Sequence, residues 1–250
     1  MIENNTRRIK ILEQMAQMLY REWFVNFHFP RHEKIEMVDS PLGPIPDGWA
    51  IEKVGNRFIT VLGGTPSRSK PEFWEGGTIP WINSGEVNKL RVIEPCEFIT
   101  SDALSKSSAK LMPKRATVVA ITGATLGQVS LLEIESSANQ SVVGIYDHEG
   151  NYAQYLYLTF TAIIEAIIKH ASGGAQQHIN KEIVNETKIV VPPMAVMNRF
   201  NEIVVPIFDL IASLFFKNAT LRKTRDFLLP KLISGEITVN HLERSVSQTS

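Results

Sequence analysis

The sequence predicts an α+β chain: one globular mixed α/β domain flanked by two long helices that form an antiparallel coiled coil. Three observations predict it. Near the N-terminus, Ile9, Leu12, Ala16, Leu19 and Trp23 recur at alternating intervals of three and four. Phe200, Ile207, Leu214, Leu221 and Leu228 recur at a spacing of seven. Both are heptad seams rather than generic amphipathic faces. Between them, short apolar runs alternate with glycine and polar clusters, the texture of strands and turns.

The first segment, residues 1–40, is helical to about His28 and then linker. Asn4 or Asn5 is its candidate N-cap, because a short side-chain oxygen satisfies an orphan backbone N–H. Phe29-Pro30 should end it, since the residue before proline disfavours the helical region. Ser40–Trp49 holds three prolines and two glycines, so it cannot be helix or central strand. Trp49 is the first buried anchor expected in the next domain, residues 41–193. Candidate strands there are Phe58–Leu62, Thr78–Ile82, Cys96–Ile99, Thr117–Ile121, Gln128–Leu132, Val142–Tyr146 and Lys188–Val191. Tyr152–His170 reads as a helix with Leu156, Phe160, Ile163, Ile164 and Ile167 on one face.

A second long helix follows Pro192-Pro193, over residues 194–237. Its seam is apolar in the first half, where Ile203, Val204, Leu210 and Ile211 lie between the heptad positions, and polar in the second. Pro206 should kink or interrupt it. Ser234-Gly235 should end it, with glycine at the left-handed position. Residues 238–250 are polar and read as a disordered tail. Such seams must be buried, since each large apolar group contributes ~1.5–3 kcal/mol on burial. The natural partners are the other helix and the same pair in a second chain; packing of both helices on their own globular domain is the alternative. The dimer or coiled-coil positions are Ile9, Leu12, Leu19, Trp23, Ile207, Leu210, Leu214, Leu221 and Leu228.

Composition narrows the function classes. Lys+Arg and Asp+Glu are 26 each, so the chain is no polybasic nucleic-acid coat. With 44% hydrophobic and 21% charged residues it is not wholesale disordered. The single cysteine, Cys96, excludes an intrachain disulfide and a cysteine-based zinc site, and reads as a buried structural thiol. No apolar run approaches the ~20 residues of a bilayer span, and Met1–Asn5 lacks signal-peptide character. A soluble, cytoplasmic protein without a membrane partner is expected. Catalysis has little support. Gly63-Gly64-Thr65-Pro66-Ser67 lacks the Gly-Lys-Ser/Thr ending of a phosphate loop, and Val191-Pro192-Pro193-Met194 lacks the polar and aromatic members of a methyltransferase loop. His170 and His178 have no ligand-like neighbours, so no metal or other cofactor is expected.

Several motifs carry a resemblance. The first helix reads Asn5-Thr6-Arg7-Arg8-Ile9, continues through Leu12-Glu13-Gln14-Met15-Ala16 and Arg21-Glu22-Trp23-Phe24-Val25, and closes on Phe27-His28-Phe29-Pro30. The last helix reads Leu221-Arg222-Lys223-Thr224-Arg225-Asp226-Phe227-Leu228-Leu229-Pro230-Lys231-Leu232-Ile233-Ser234-Gly235. Gly63-Gly64-Thr65-Pro66, Ile79-Pro80-Trp81-Ile82, Thr122–Gly127, Asn139-Gln140 and Val191-Pro192-Pro193 lie between them. Together these resemble the DNA-specificity (S) subunits of type I restriction–modification systems, over nearly the whole chain. The resemblance implies a target recognition domain flanked by two conserved helices. It implies a non-catalytic adaptor that reads one part of a bipartite site in double-stranded DNA. It also implies docking of methyltransferase (M) subunits, with a restriction (R) subunit joining the complex. Two departures stand out. Val196-Met197 replace a Glu-Gln pair usual in the family, and only one recognition domain is present where a full subunit has two. A half subunit, whether a natural product or an excised piece, would dimerise and read a symmetric interrupted site.

The residues themselves allow local DNA contact. Residues 41–190 carry 13 basic and 15 acidic groups, so any positive patch must be local. Phosphate candidates are Arg68, Lys70, Lys89, Arg91, Lys110, Lys114 and Arg115, with Lys106 nearby; a solvated charge run is the bland alternative. Base reading needs paired donors and acceptors on loops. Ser67-Arg68-Ser69-Lys70 is the leading candidate, followed by Asn83, Ser84, Asn139, Gln140, Gln176, Gln177 and His178. Turn formation is the alternative for Asn83 and Asn139. Thr125 sits in a turn whose backbone N–H groups could approach a phosphate; an ordinary strand-to-strand turn is the equal alternative. A protein-interaction scaffold that reads no DNA is the competing function.

Overall fold

The computed structural model describes residues 1–171 and 179–237. Helix α1 spans Ile2–Tyr20 and runs into one π-helical turn, Arg21–Val25. It stops where the sequence predicts: Phe27 turns left-handed at φ 59° ahead of Phe29-Pro30. Its N-terminus differs from expectation. Met1 holds the cap position without a side-chain bond, and Asn5 is buried inside the helix. Asn5 Nδ2 donates to Asn218 Oδ1 at 2.9 Å, a polar contact between distant segments instead of a cap.

The domain then runs β1 (Met37–Val38), β2 (Ile45–Pro46), β3 (Ala50–Lys53), α2 (Val54–Arg57), β4 (Ile59–Leu62), β5 (Ile79–Ile82), β6 (Arg91–Val92) and β7 (Glu97–Ile99). Next come α3 (Ser101–Lys106), β8 (Leu111–Met112), β9 (Thr117–Ala120), β10 (Val129–Leu132), β11 (Ser136–Ala138) and β12 (Val142–Tyr146). Helices α4 (Ala153–Ala171) and α5 (Lys181–Glu186), strand β13 (Lys188–Val191) and helix α6 (Met194–Ile233) complete it. All seven predicted strands are present, and the predicted Tyr152–His170 helix is α4.

Two sheets carry the domain. One has the order β4-β12-β9-β10-β6, antiparallel except for the β10–β6 pair. The other has the order β7-β5-β11-β8, with β5 and β11 parallel. The first sheet is buried on both faces at β9, which explains its unbroken Thr117–Ala120 run of buried residues. Strands β3 and β13 pair across the base of the domain, tying its beginning to its end.

Trp49 is the buried anchor the sequence predicts. It packs among Phe24, Phe27 and Phe29, and Phe24 stacks edge-on against both Tyr155 and Phe200. One aromatic cluster therefore joins the end of α1, the domain and the start of α6. Further along, Ile9 packs on Ile211 and Leu214, with Leu12 and Ile207 at the margin. Trp23 meets Phe200 while Asn5 meets Asn218, so the two helices run in opposite directions.

The buried stripe of α6 is Met197, Phe200, Val204, Phe208, Ile211, Ala212, Leu214 and Asn218. It departs from the predicted seven-residue seam because α6 also faces the domain core. Leu210 is exposed, and Ile207 is only half-buried. Pro206 does not break α6, which is continuous to Ile233; Gly235 takes the predicted left-handed turn at φ 77°. Past Asn218 the helix outruns α1, and Phe227, Leu228, Leu229, Leu232 and Ile233 are exposed. Among the described residues, α6 alone is long and apolar enough to cross a membrane, by length and composition.

Candidate nucleic-acid interface

The loop after β4 is shaped by close backbone approach. A Cβ on Gly63 would lie 2.1 Å from Asn139 O, and one on Gly64 would lie 2.3 Å from Ser108 Oγ. Only glycine lets this loop press against the 107–110 and 139–140 segments. Two side chains then pin it: Trp81 Nε1 donates to Gly64 O at 3.2 Å, and Thr65 Oγ1 donates to Gln140 Oε1 at 2.6 Å.

On this base stand the predicted readers. Arg68 Nη1 and Nη2 donate to Glu97 Oε2 and Oε1 at 2.5 and 2.7 Å. Its guanidinium lies 3.6 Å from the centre of the Trp74 ring and 5.3 Å from that of Trp81. Trp74 is held in turn by Nε1 donation to Ser67 O at 3.1 Å and by edge-on packing with Trp81. Ser67 and Ser69 share a hydroxyl hydrogen bond of 2.8 Å. Lys70 Nζ sits 4.9 Å over the Phe73 ring. The hydrogen bond from Arg68 holds the Glu97 carboxyl below its usual range, and the same bond raises the guanidinium.

Asn83 and Ser84 adjoin this face through β5. Asn83 Oδ1 accepts from Gly85 N at 2.7 Å, and Nδ2 donates to Cys96 Sγ at 3.5 Å. The Ser84–Asn88 turn packs beside the Gly123–Thr125 turn, which brings the Thr125 turn to the edge of this face. Asn139 Oδ1 accepts from Ser141 N at 3.1 Å, so it shapes its turn, whereas Gln140 is exposed. Lys110 is exposed beyond the Ser108 that abuts Gly64. Cys96 corrects the sequence reading: it is exposed, because β7 is an edge strand and Cys96 precedes it.

Other predicted residues lie apart. Lys89 Nζ pairs with Glu86 at 2.5 Å. Lys114 lines a cavity of about 400 Å³ shared with Glu135, Asp147 and Glu149, an acidic setting for a phosphate contact. Arg91 overturns the expectation of a phosphate ligand, since its side chain is fully buried. Its Nη2 lies 2.5 Å from Glu13 and its Nε 3.4 Å from Glu133. The Tyr157 and Phe208 rings flank it at 4.6 and 4.7 Å. Arg115, left-handed at φ 71°, bridges Glu133 at 3.2 Å and Asp209 at 2.6 Å. This network links α1, the domain and α6. Burial pushes the Glu13 and Glu133 carboxyls up, against the pull of the neighbouring guanidiniums. Gln176, Gln177 and His178 lie outside the described residues, as does the His170 side chain.

Sequence reasoning missed Glu97, Trp74 and Thr65. Strand pairing places Glu97 opposite Trp81, while Trp74 and Thr65 are placed by contacts with Trp81 and Gln140, and no local motif signals these.

Comparison with known proteins gives a consistent picture. Residues 46–212 match the family model of the type I restriction modification DNA specificity domain. The specificity subunit of the type I restriction enzyme MjaIX from Methanocaldococcus jannaschii is 26% identical over 97% of this chain and 56% of its own length. The EcoR124I/EcoR124II specificity subunit of Escherichia coli is 31% identical over 56% of this chain and 36% of its own. The S subunit from M. genitalium superposes on 92% of this chain and 56% of its own, at 14% identity and a TM-score of 0.64. The HsdS subunit from Thermoanaerobacter tengcongensis covers 94% of this chain and 54% of its own, at 16% identity and a TM-score of 0.52. The chain thus spans just over half the length of the M. jannaschii relative and of both solved subunits.

Proposed function

Because the chain belongs to the type I restriction modification DNA specificity domain family, we propose that it is a non-catalytic DNA-specificity subunit, reading one half of a bipartite site. Residues 41–193 are its target recognition domain. Residues 1–40 and 194–237 are the helical regions, which pair as an antiparallel coiled coil; the tail expected over 238–250 lies outside the described residues. The observation that carries this reading is the face around Arg68. Ser67, Arg68 and Lys70 share it with Asn83, Ser84 and Gln140, and Lys110 and Thr125 stand at its edges. These are the paired donors and acceptors that groove edges require, on loops fixed by a sheet.

The helices supply the assembly surfaces. Beyond Asn218, Leu221 is half-buried while Leu228 and Leu232 are exposed past the start of α1, which suits a homodimer built by a second copy. Exposed Ile11, Met15 and Met18 on α1 suit docking of methyltransferase subunits, with the restriction subunit joining the full cytoplasmic complex.

A scaffold that reads no DNA is the second reading. It is favoured by the acidic pairing of Arg68, Lys89 and Lys106 with Glu97, Glu86 and Asp102. The test is selection from a pool of randomised duplexes by the complex of this chain with its cognate methyltransferase subunit. Enrichment of an interrupted motif is expected. An assembled complex that enriches nothing would leave the scaffold.

A further inference from the structure

The Arg68 rack is too elaborate for its worth in stability. Arg68 is 54% exposed and Glu97 40% exposed, and such a pair stabilises a fold little. Yet the guanidinium is fixed on two sides. Its outer end is held by both oxygens of Glu97, and its face lies on Trp74. Trp74 is anchored on buried Trp81, and Glu97 stands on β7 opposite the same Trp81. An exposed arginine is thus ordered before any ligand arrives, which lowers the entropic cost of binding.

Two features decide what it is ordered for. Both Nη atoms are committed to Glu97, and no partner is found for Nε among the described residues. The Nε–H and the outer Nη2–H therefore form a free, parallel pair of donors. Glu97 also cancels the charge of Arg68, which makes a weak phosphate anchor. Guanine O6 and N7 offer two uncharged acceptors side by side, and they match that edge.

We propose that Glu97 and Trp74 are positioning residues that hold Arg68 as a guanine reader, so that the half-site of this domain contains a G·C pair recognised through the Nε–Nη2 edge. The proposal rests on the DNA-specificity reading and deepens it. Glu97 itself touches no base.

The test uses the complex with the methyltransferase subunit and duplexes altered at each position of the selected motif. The parent should prefer G·C at one position by about 5- to 150-fold. Arg68→Ala should abolish that preference and leave the other positions unchanged. Glu97→Gln should reduce it by about 5-fold or more, because one acceptor oxygen is lost. Glu97→Ala should remove it, with only a small drop in the unfolding midpoint, as befits an exposed ion pair. Tighter specific binding by Glu97→Gln with the same guanine preference would overturn the proposal, making Glu97 a competitor. A parent motif indifferent to Arg68→Ala would also overturn it while leaving DNA reading intact. Failure of the parent to select any motif would remove both.

Discussion

Arg91 and Arg68 both belong to the recognition domain, both pair with glutamate and both lie on aromatic rings. Arg91 is sealed between Glu13, Glu133, Tyr157 and Phe208 at the junction with the helices. Arg68 stands half exposed on a loop face. Burial reverses the acid chemistry of the two places: Glu13 and Glu133 are pushed up by desolvation, and Glu97 is drawn down by its hydrogen bond. The buried network does not tolerate the loss of any one member, since an orphaned charge there has no water. The exposed pair can be changed at little cost to the fold. The same chemistry thus serves to fasten the domain to its helices in one region and to present donors in the other.

The sharpest way to break this comparison is to remove each guanidinium in turn. Arg91→Met should destabilise the chain by about 3–5 kcal/mol in denaturant unfolding, because Glu13 and Glu133 lose their shared partner. Arg68→Met should change it by less than about 1 kcal/mol. Equal effects would mean the two sites are not different in kind.

The helices offer a second contrast, of somewhat smaller size. Ile211→Ala, at the buried contact with Ile9, should cost about 2–5 kcal/mol. If the proposed dimer forms through this end of α6, replacing exposed Leu228 and Leu232 with Glu should halve the mass read by light scattering and cost less in unfolding than Ile211→Ala. A mutant that keeps its mass would place the dimer contact elsewhere.

The smallest effect is in pH. Glu13 and Glu133 have folded values raised above the ordinary 4.5, so the folded state holds their protons longer. Their contribution to stability is present below 4.5 and is lost as pH rises through the raised values. Glu97 is lowered, so its contribution is present above 4.5 and is lost as pH falls through the lower value. Glu13→Gln should flatten the decline on the alkaline side of 4.5, and Glu97→Gln the decline on the acid side, in unfolding midpoints followed against pH. Flattening of the same limb by both variants would contradict the difference in environment.

What could be read from the sequence follows from range. Strands such as Val142–Tyr146 and helix α4 announce themselves by local period, and all were legible. Strands β6 and β8 are two residues long and β11 is Ser136-Ser137-Ala138, too short or too polar to show a pattern. Arg91 was misread for the same reason. Its partners Glu13 and Glu133 lie on other elements, and a lone arginine beside Leu90 and Val92 looks like surface. Asn5 looked like a cap because its partner, Asn218, is near the other end of the chain. At the candidate interface the Ser67-Arg68-Ser69-Lys70 loop was legible from glycine and charge. Glu97 and Trp74, which hold Arg68, were not, because only tertiary packing and strand pairing bring them to it.

The most direct measurement of whether this chain reads DNA is a map of methylated positions in cells expressing it with its cognate methyltransferase subunit. The account predicts a two-fold symmetric, interrupted motif with a G·C pair in each half. An assembled complex that methylates without any motif, or not at all, would contradict it.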